Sequence, residues 1–493
     1  MEDKQFQRKV ASATKWSSVT QVVSKIISPL TNMILARILV PDAFGVIATV
    51  TMIISFTEMF TDSGFQKYLV QHDFKSEDEK NENANVAFWT NFSLAIVLWG
   101  IISIFNEQIA IMVGNPGLGI VIIVACMQLP LTSFSSIQMA LYRRKFDFKT
   151  LFVVRVIGIM IPLIVTIPLA LIGLSYWSLI IGNICMQIFN AVFLTMKSEW
   201  KPSLFYSFKT LKNMLSFSIW SLIEAISIWL TSWIDAFIIG YYLNQYYLGI
   251  YKTSTIMVNS LLALITASVV PVLFSALSRL QNDKSKFNNM YFKFQRLVAL
   301  LVFPLGAGMY LYSDLATSIM LGSQWDEASD VIGIWALTSA IMIVFGHFAS
   351  EVYRSKGKPK LSFLAQTLHL VVLVPTCIIA ANYGFWPLVY ARALIRLQFV
   401  LVHLVIMKVV MKINVMTTVK NVWPSIVAVF LMTGLVFLLK SINQSIVWSF
   451  VSIVLAGVFY FGILLLFPKT RLELLGLINR VLPIGKLKSI ERS

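Results

Sequence analysis

Charge is scarce in this chain of 493 residues: 13% of them are Asp, Glu, Lys or Arg, 57% are hydrophobic, and the mean hydropathy is +0.77. A water-soluble fold of this size needs an ionised surface, so the shortage excludes a soluble enzyme or binding module and indicates a polytopic membrane protein. Cysteine is equally sparse. Cys126, Cys185 and Cys377 each sit in an apolar run without CxxC spacing, which excludes a disulfide framework or a thiolate metal centre. The four histidines are scattered, no HExxH occurs, and no GxxxxGK[ST] loop is present to cradle nucleotide phosphates. With no enzyme motif and no sizeable polar loop, the chain reads as a non-enzyme without cofactor or metal. No Ala-x-Ala pattern follows the first residues, so a cleaved signal peptide is not expected.

What is abundant is long apolar runs. Crossing about 30 Å of hydrocarbon takes about 20 residues of helix. That length criterion predicts fourteen spans, near 16–39, 43–66, 86–105, 119–141, 151–172, 174–196, 213–239, 251–277, 294–313, 331–351, 361–381, 385–410, 421–439 and 446–467. Basic residues outnumber acidic ones by 40 to 23, yet they fall in short clusters between the runs, which argues for membrane orientation and against nucleic acid. Alternate loops carry the clusters, for example Arg143, Arg144, Lys145 and Lys149, then Arg354, Lys356, Lys358 and Lys360. The intervening loops are short and hold Asp42, Glu107, Asp314 and Asp330. This segregation predicts an even number of spans with both termini cytoplasmic. The end of the chain, Arg471 to Lys488, alternates Leu and Ile with charges, and reads as an amphipathic surface helix or a loosely ordered basic tail.

The sequence also repeats itself. LYRRKFDFK (Leu141 to Lys149) recurs as VYRSKGKPK (Val352 to Lys360), with Tyr142, Arg143, Lys145 and Lys149 falling on Tyr353, Arg354, Lys356 and Lys360. LVPDAFG (Leu39 to Gly45) has a fainter echo in LNQYYLG (Leu243 to Gly249). A tandem duplication follows: a six-helix bundle over 1–205, a second over 206–415, two further spans over 416–470 and a basic tail over 471–493.

Ionisable groups inside spans are the candidates for function, because a charge in the bilayer needs a wet cavity or a partner. Lys25 and Glu58 lie at similar depth, roughly 13 Å from the cytoplasmic ends of their spans, and suit either a structural pair or a functional one. Asp62 is one turn from Glu58 on the same face. Arg392 and Arg396 share a face four residues apart, with His403 on the same stripe. Guanidinium forks bind phosphate oxygens in pairs, so these two arginines suit an anionic ligand; the alternative is pairing with Glu224 or Asp235. Arg37 and Arg155, near span ends, read as snorkelling to headgroups. Prolines within spans, including Pro29, Pro130, Pro162 and Pro304, mark kinks.

Several stretches carry a resemblance. RILVPDAFGVIATV (Arg37 to Val50), FTEMFTDSGFQKYLVQ (Phe56 to Gln71), RRKFDF, GLSYWSLI (Gly173 to Ile180), EWKP (Glu199 to Pro202) and DAFIIGYYLNQYYLGIY (Asp235 to Tyr251) resemble, in that order, segments of Wzx-type polysaccharide transporters of the multidrug/oligosaccharidyl-lipid/polysaccharide exporter superfamily. The resemblance implies two six-helix bundles around a central cavity, plus two extra helices, in the bacterial inner membrane. It implies movement of a polyprenyl-diphosphate-linked oligosaccharide between leaflets for surface polysaccharide synthesis, among membrane lipids and beside a polysaccharide polymerase and chain-length regulator. Where relatives often have YxRA, this chain has Tyr251-Lys-Thr-Ser254, so no role passes to Lys252. On this reading Arg392, Arg396 and Lys25 contact diphosphate and sugar, and Glu58, Asp62, Glu224 and Asp235 are candidate carriers of a coupling H+ or Na+. The rival readings are a cation-coupled multidrug antiporter of the same superfamily and a nontransporting scaffold for glycan enzymes.

Overall fold

The computed structural model describes residues 2–62 and 64–481. Among them every regular element is helical, and fourteen stretches are long and apolar enough to span a bilayer. In order these are α1 (Glu2–Ile38), α2 (Pro41–Asp62), α3 (Phe65–Gln71), α4 (Glu77–Ile104), α5 (Asn106–Met112), α6 (Gly119–Cys126), α7 (Gln128–Arg144), α8 (Phe148–Leu171), α9 (Ser175–Lys197) and α10 (Phe208–Tyr242). The chain continues with α11 (Gln245–Arg279), α12 (Lys284–Leu311), α13 (Ser313–Met320), α14 (Ala328–Met342), α15 (Ala349–Ser355), α16 (Lys360–Ala381), α17 (Phe385–Val409), α18 (Val415–Ile442), α19 (Ile446–Leu464) and α20 (Pro468–Val481). Short polar caps start many of them: Ser76, Asp147, Ser207, Asp283 and Ser445 each accept a hydrogen bond from a backbone N–H of the first turn.

Spans are interrupted where the sequence demands it. The second ends early, at Asp62, because Gly64 takes a left-handed conformation (φ 82°) before α3. The fourth breaks at Met127 between α6 and α7: Pro130 has no N–H to offer the Cys126 carbonyl, and its ring crowds that oxygen. The tenth carries a π-turn over Ile343–His347 between α14 and α15.

The chain packs as two compact units, the first being Met1–Ser260 with Met320–Ala328 and Leu370–Ala391. Here α8 lies between α1 and α9, α7 packs on α4 and α9, and α2 packs on α10. Close approach of α9 to α8 depends on Gly182, where an added Cβ would fall 1.9 Å from Thr166 Oγ1. A cluster of Phe65, Leu69, Phe88, Ile137, Leu141 and Trp200 fills the end that bears the basic 141–149 stretch. At the opposite end the two echoed turns meet backbone to backbone. A Cβ on Gly45 would fall 1.9 Å from the Gln245 carbonyl oxygen, and one on Gly249 1.9 Å from that of Pro41. Around them Trp325 Nε1 donates to the Ala36 carbonyl at 2.7 Å, Phe44 meets the Trp325 ring edge-on at 5.2 Å, and Tyr247 stacks on Phe385 at 4.5 Å.

The second unit comprises Leu261–Ile319, Ser329–His369 and Arg392–Ser493. Its core joins α12 to α18 and α19 through Leu300, Ala307, Met432, Val436 and Tyr460. The described part of the tail, through Val481, is a helix, α20, bound to this core: Leu474 is buried, and Arg296 of α12 donates Nη2 to Glu473 Oε1 at 2.7 Å and Nε to the same oxygen at 3.1 Å. Lys486 and Lys488 lie outside the described residues.

Candidate functional site

Faces of α1, α2, α8, α9 and α11 that mix polar and apolar side chains converge in the first unit on a cavity of about 330 Å³. Its wall carries two cations, Arg155 and Lys252, with Asn32, Asn183, Thr31 and Thr51 supplying amides and hydroxyls. No carboxylate stands among the described lining residues. Each contribution follows from helix geometry. Ser28, Thr31, Asn32 and Leu35 recur at three- and four-residue spacing on one face of α1, and Arg155, Ile159, Pro162 and Thr166 do the same on α8. Arg155 is about 10 Å along α8 from its start. Its side chain is exposed at the cavity wall.

Lys252 is held in place by its neighbours. Its ammonium lies 4.0 Å from the centre of the Trp233 ring and donates to the Ser232 carbonyl at 3.1 Å. One residue earlier, Tyr251 Oη donates to Asp235 Oδ2 at 2.7 Å, so this carboxylate is buried (3% exposed) behind the cavity wall. Phe44 closes the cavity towards the paired turns, where it meets Trp325.

The residues singled out in the sequence do not gather in one place. Arg392 and Arg396 do share a face, and both lie over the same indole in the second unit. The Arg392 guanidinium is 5.7 Å from the Trp335 centroid, and that of Arg396 is 3.8 Å from it. Arg396 Nη2 also donates to Ser339 Oγ at 2.9 Å, and Arg392 is only 6% exposed. His403 on the same helix approaches Tyr353, with Nδ1 3.2 Å from the hydroxyl. Lys25 sits three residues before Ser28 on α1 and is not among the residues lining the cavity. Glu58 lines a separate polar cavity of about 300 Å³ with Ser55, Lys67, Asn91, Thr132 and Ser136. The side chains of Asp62 and Glu224 lie outside the described residues.

Two readings change. Arg155, taken as a snorkelling residue, stands in the cavity wall, because α8 begins at Phe148 and the side chain is therefore seven residues into the helix. Lys252, given no role, stands in the same wall. The sequence signal was slight: Ser28, Thr31 and Asn32 at helical spacing mark a polar face on α1, but no such stripe flags Arg155 on α8 or Lys252 on α11.

Comparison with known proteins agrees with this architecture. The sequence profile of a family described as polysaccharide biosynthesis protein matches residues 34–330. Succinoglycan biosynthesis transport protein ExoT of Rhizobium meliloti (strain 1021) is 23% identical over 66% of this chain and 65% of its own length. Lipopolysaccharide biosynthesis protein WzxC of Escherichia coli (strain K12) is 21% identical, over 76% of each chain. Among solved structures, the lipid II flippase MurJ in an inward closed conformation aligns with a TM-score of 0.73 and 15% identity, over 92% of this chain and 99% of that one, a likeness of fold.

Proposed function

We propose a function from the premise that this chain belongs to the polysaccharide biosynthesis protein family: it is a flippase that carries a lipid-linked oligosaccharide across the bilayer for surface polysaccharide synthesis. The observation that carries this reading is the first unit's cavity, which pairs Arg155 and Lys252 with amides and hydroxyls and has no carboxylate among its described lining residues. A diphosphate offers several anionic oxygens. Guanidinium binds two of them at once and ammonium adds a point charge, while Asn32, Asn183, Thr31 and Thr51 match sugar hydroxyls as donors and acceptors. A cavity of about 330 Å³ is at the small end of the range for ligand sites, so it suits the headgroup while the polyprenyl chain stays in lipid. The relatives' names point the same way, towards succinoglycan and lipopolysaccharide synthesis. A cation-binding antiporter would want the opposite charge in this wall.

Transport follows by alternating access in the inner membrane, with the termini cytoplasmic, and an ion gradient supplies the energy. Glu58 is the carboxylate best placed to take up the coupling ion, since it borders polar space. Asp235 is the second candidate, held by Tyr251 beside Lys252. Arg392, Arg396 and Lys25 act on the substrate at most from outside this cavity.

The test is a proteoliposome assay in which a fluorescent polyprenyl-diphosphate oligosaccharide, loaded in one leaflet, becomes accessible to a quencher. Wild-type protein is expected to expose the lipid, R155Q and K252Q to lose most of that activity at normal abundance, and E58Q to lose its response to an imposed gradient. Full transport by the R155Q/K252Q double variant would remove the cavity from the mechanism.

A further inference from the structure

The basic stretch 141–149 builds a second polar cavity, at the end of the first unit remote from the paired turns. Four segments meet there: the start of α4, the end of α7, the start of α8 and the link after α9. The space is about 250 Å³ and holds the ammonium groups of Lys80, Lys145 and Lys197. Lys80 is 7% exposed as a residue and pairs with Glu77; Lys145 pairs with Glu199. Both carboxylates are on the outside, with side chains 79% and 83% exposed, so each reaches inward from water to a cation set deeper than itself. Exposed pairs of this kind are weak and easily exchanged.

Two residues of the same wall carry donor atoms that are buried just beneath it without a partner. Trp200 is only 8% exposed, yet its indole Nε1 has no hydrogen-bond partner, and the Tyr142 hydroxyl is likewise unsatisfied. An indole N–H cannot accept, so only an acceptor satisfies it, and a buried donor left unmade is costly. The remaining carboxylate, Asp147, is committed: it caps α8 by accepting from Thr150 N at 3.1 Å and Thr150 Oγ1 at 2.7 Å. The second copy of the motif differs. Lys356, which aligns with Lys145, donates to the Gln281 carbonyl and lies 4.2 Å from the Phe287 ring centre, so its charge is already occupied.

We propose that the cavity between α4, α7, α8 and the 197–200 link is a phosphate-binding site, separate from the transport cavity, in which phosphoryl oxygens displace Glu77 and Glu199 from the two lysines and accept from Trp200 and Tyr142. The phosphoryl group is that of an anionic lipid headgroup at the membrane surface or of free phosphate. At neutral pH Glu199 competes for Lys145 as a full carboxylate, because the hydrogen bond and charge of Lys145 hold it below its ordinary range.

Full-length protein in detergent, carrying R155Q and K252Q so that the transport cavity lacks its cations, is titrated calorimetrically with dihexanoyl phosphatidic acid and separately with inorganic phosphate. Saturable binding is expected, weakened about tenfold by W200F and by K145Q and tightened a few-fold by E199Q. Equal affinity for both probes, with that order of variants, supports the site and makes free phosphate sufficient; binding of the lipid alone supports it as a headgroup site. Absence of saturable binding to either probe, or affinities that W200F, K145Q and E199Q all leave unchanged, overturns the proposal. Glu199 is exposed, so E199Q decides the matter even where W200F fails to fold. Transport by the wild-type protein is read in a different assay, so the two proposals fail separately.

Discussion

Two pairs of cations within the helices show how differently the same charge is used. In the first unit Arg155 and Lys252 line a cavity with amides and hydroxyls, Lys252 itself lying over the Trp233 ring and donating to the Ser232 carbonyl. In the second, Arg392 and Arg396 close on the single indole of Trp335, and Arg396 is tied further to Ser339. A desolvated cation over an indole face gains about 2 kcal/mol. Depth in the span and helical spacing made the second pair look like the binding site. What the head group meets, as well as how deep it lies, distinguishes the two pairs.

This contrast can be broken by substitution. The largest effect is expected from W335A, which removes the ring beneath both arginines and should cost roughly 3–5 kcal/mol of stability, read as a fall in unfolding temperature and in membrane abundance. The matching change in the first unit, W233A, should leave abundance nearer normal and lower transport instead. Next, R155Q and K252Q should each weaken headgroup binding by about 2 kcal/mol, close to thirtyfold, measured as a rise in the lipid concentration needed for half-maximal flipping. R392Q and R396Q should lower abundance in proportion to any lost export. If export vanishes in those two at normal abundance while R155Q is silent, the assignment of the two pairs is reversed. A smaller effect is expected from G182A. Its Cβ meets Thr166, which forces α8 and α9 apart at the cavity wall at a cost of about 1–3 kcal/mol; T166A in the same background should restore part of both stability and transport. The smallest effect concerns pH. The Glu199 carboxyl is held low by its hydrogen bond and charge interaction with Lys145. The contribution of that pair is therefore present above the ordinary carboxylate range and lost as pH falls through the folded value. Acidification below the ordinary carboxylate range should release Lys145 from Glu199, read as a change in its side-chain NMR signal, while mild acidification should not, and E199Q should abolish the dependence.

The fourteen spans were legible because hydrocarbon thickness sets a length that composition alone reports. The chain's joints were less so. Pro130 was visible as a kink, but its displacement of the break to Met127, one turn earlier, is a matter of which carbonyl loses its partner. Arg155 was misjudged because three residues of α8 belong to a polar-looking loop, Phe148 to Thr150, that Asp147 caps into helix. The tail read either as an amphipathic surface helix or as a loosely ordered basic segment, with nothing in the sequence to show what α20 binds. Its anchor, Arg296, sits near the start of an apolar run, and its partner is one acidic residue, Glu473, among basic ones. Such long-range pairs leave no periodic trace. Arg392 and Arg396 left a clear one, and the ring that takes up their charge, Trp335, lies about sixty residues away in sequence.

The contact between the echoed turns also ties the two sequence copies together. Gly45 and Gly249 occupy matching places in the two sequence copies, and each lies against the backbone of the other's turn. Neither copy can acquire a side chain there unless its counterpart withdraws. The two turns are therefore coupled at this point, and a side chain added to one strains the other. The turns act in this sense as one structural unit, and a library randomised at both positions should return changes in pairs.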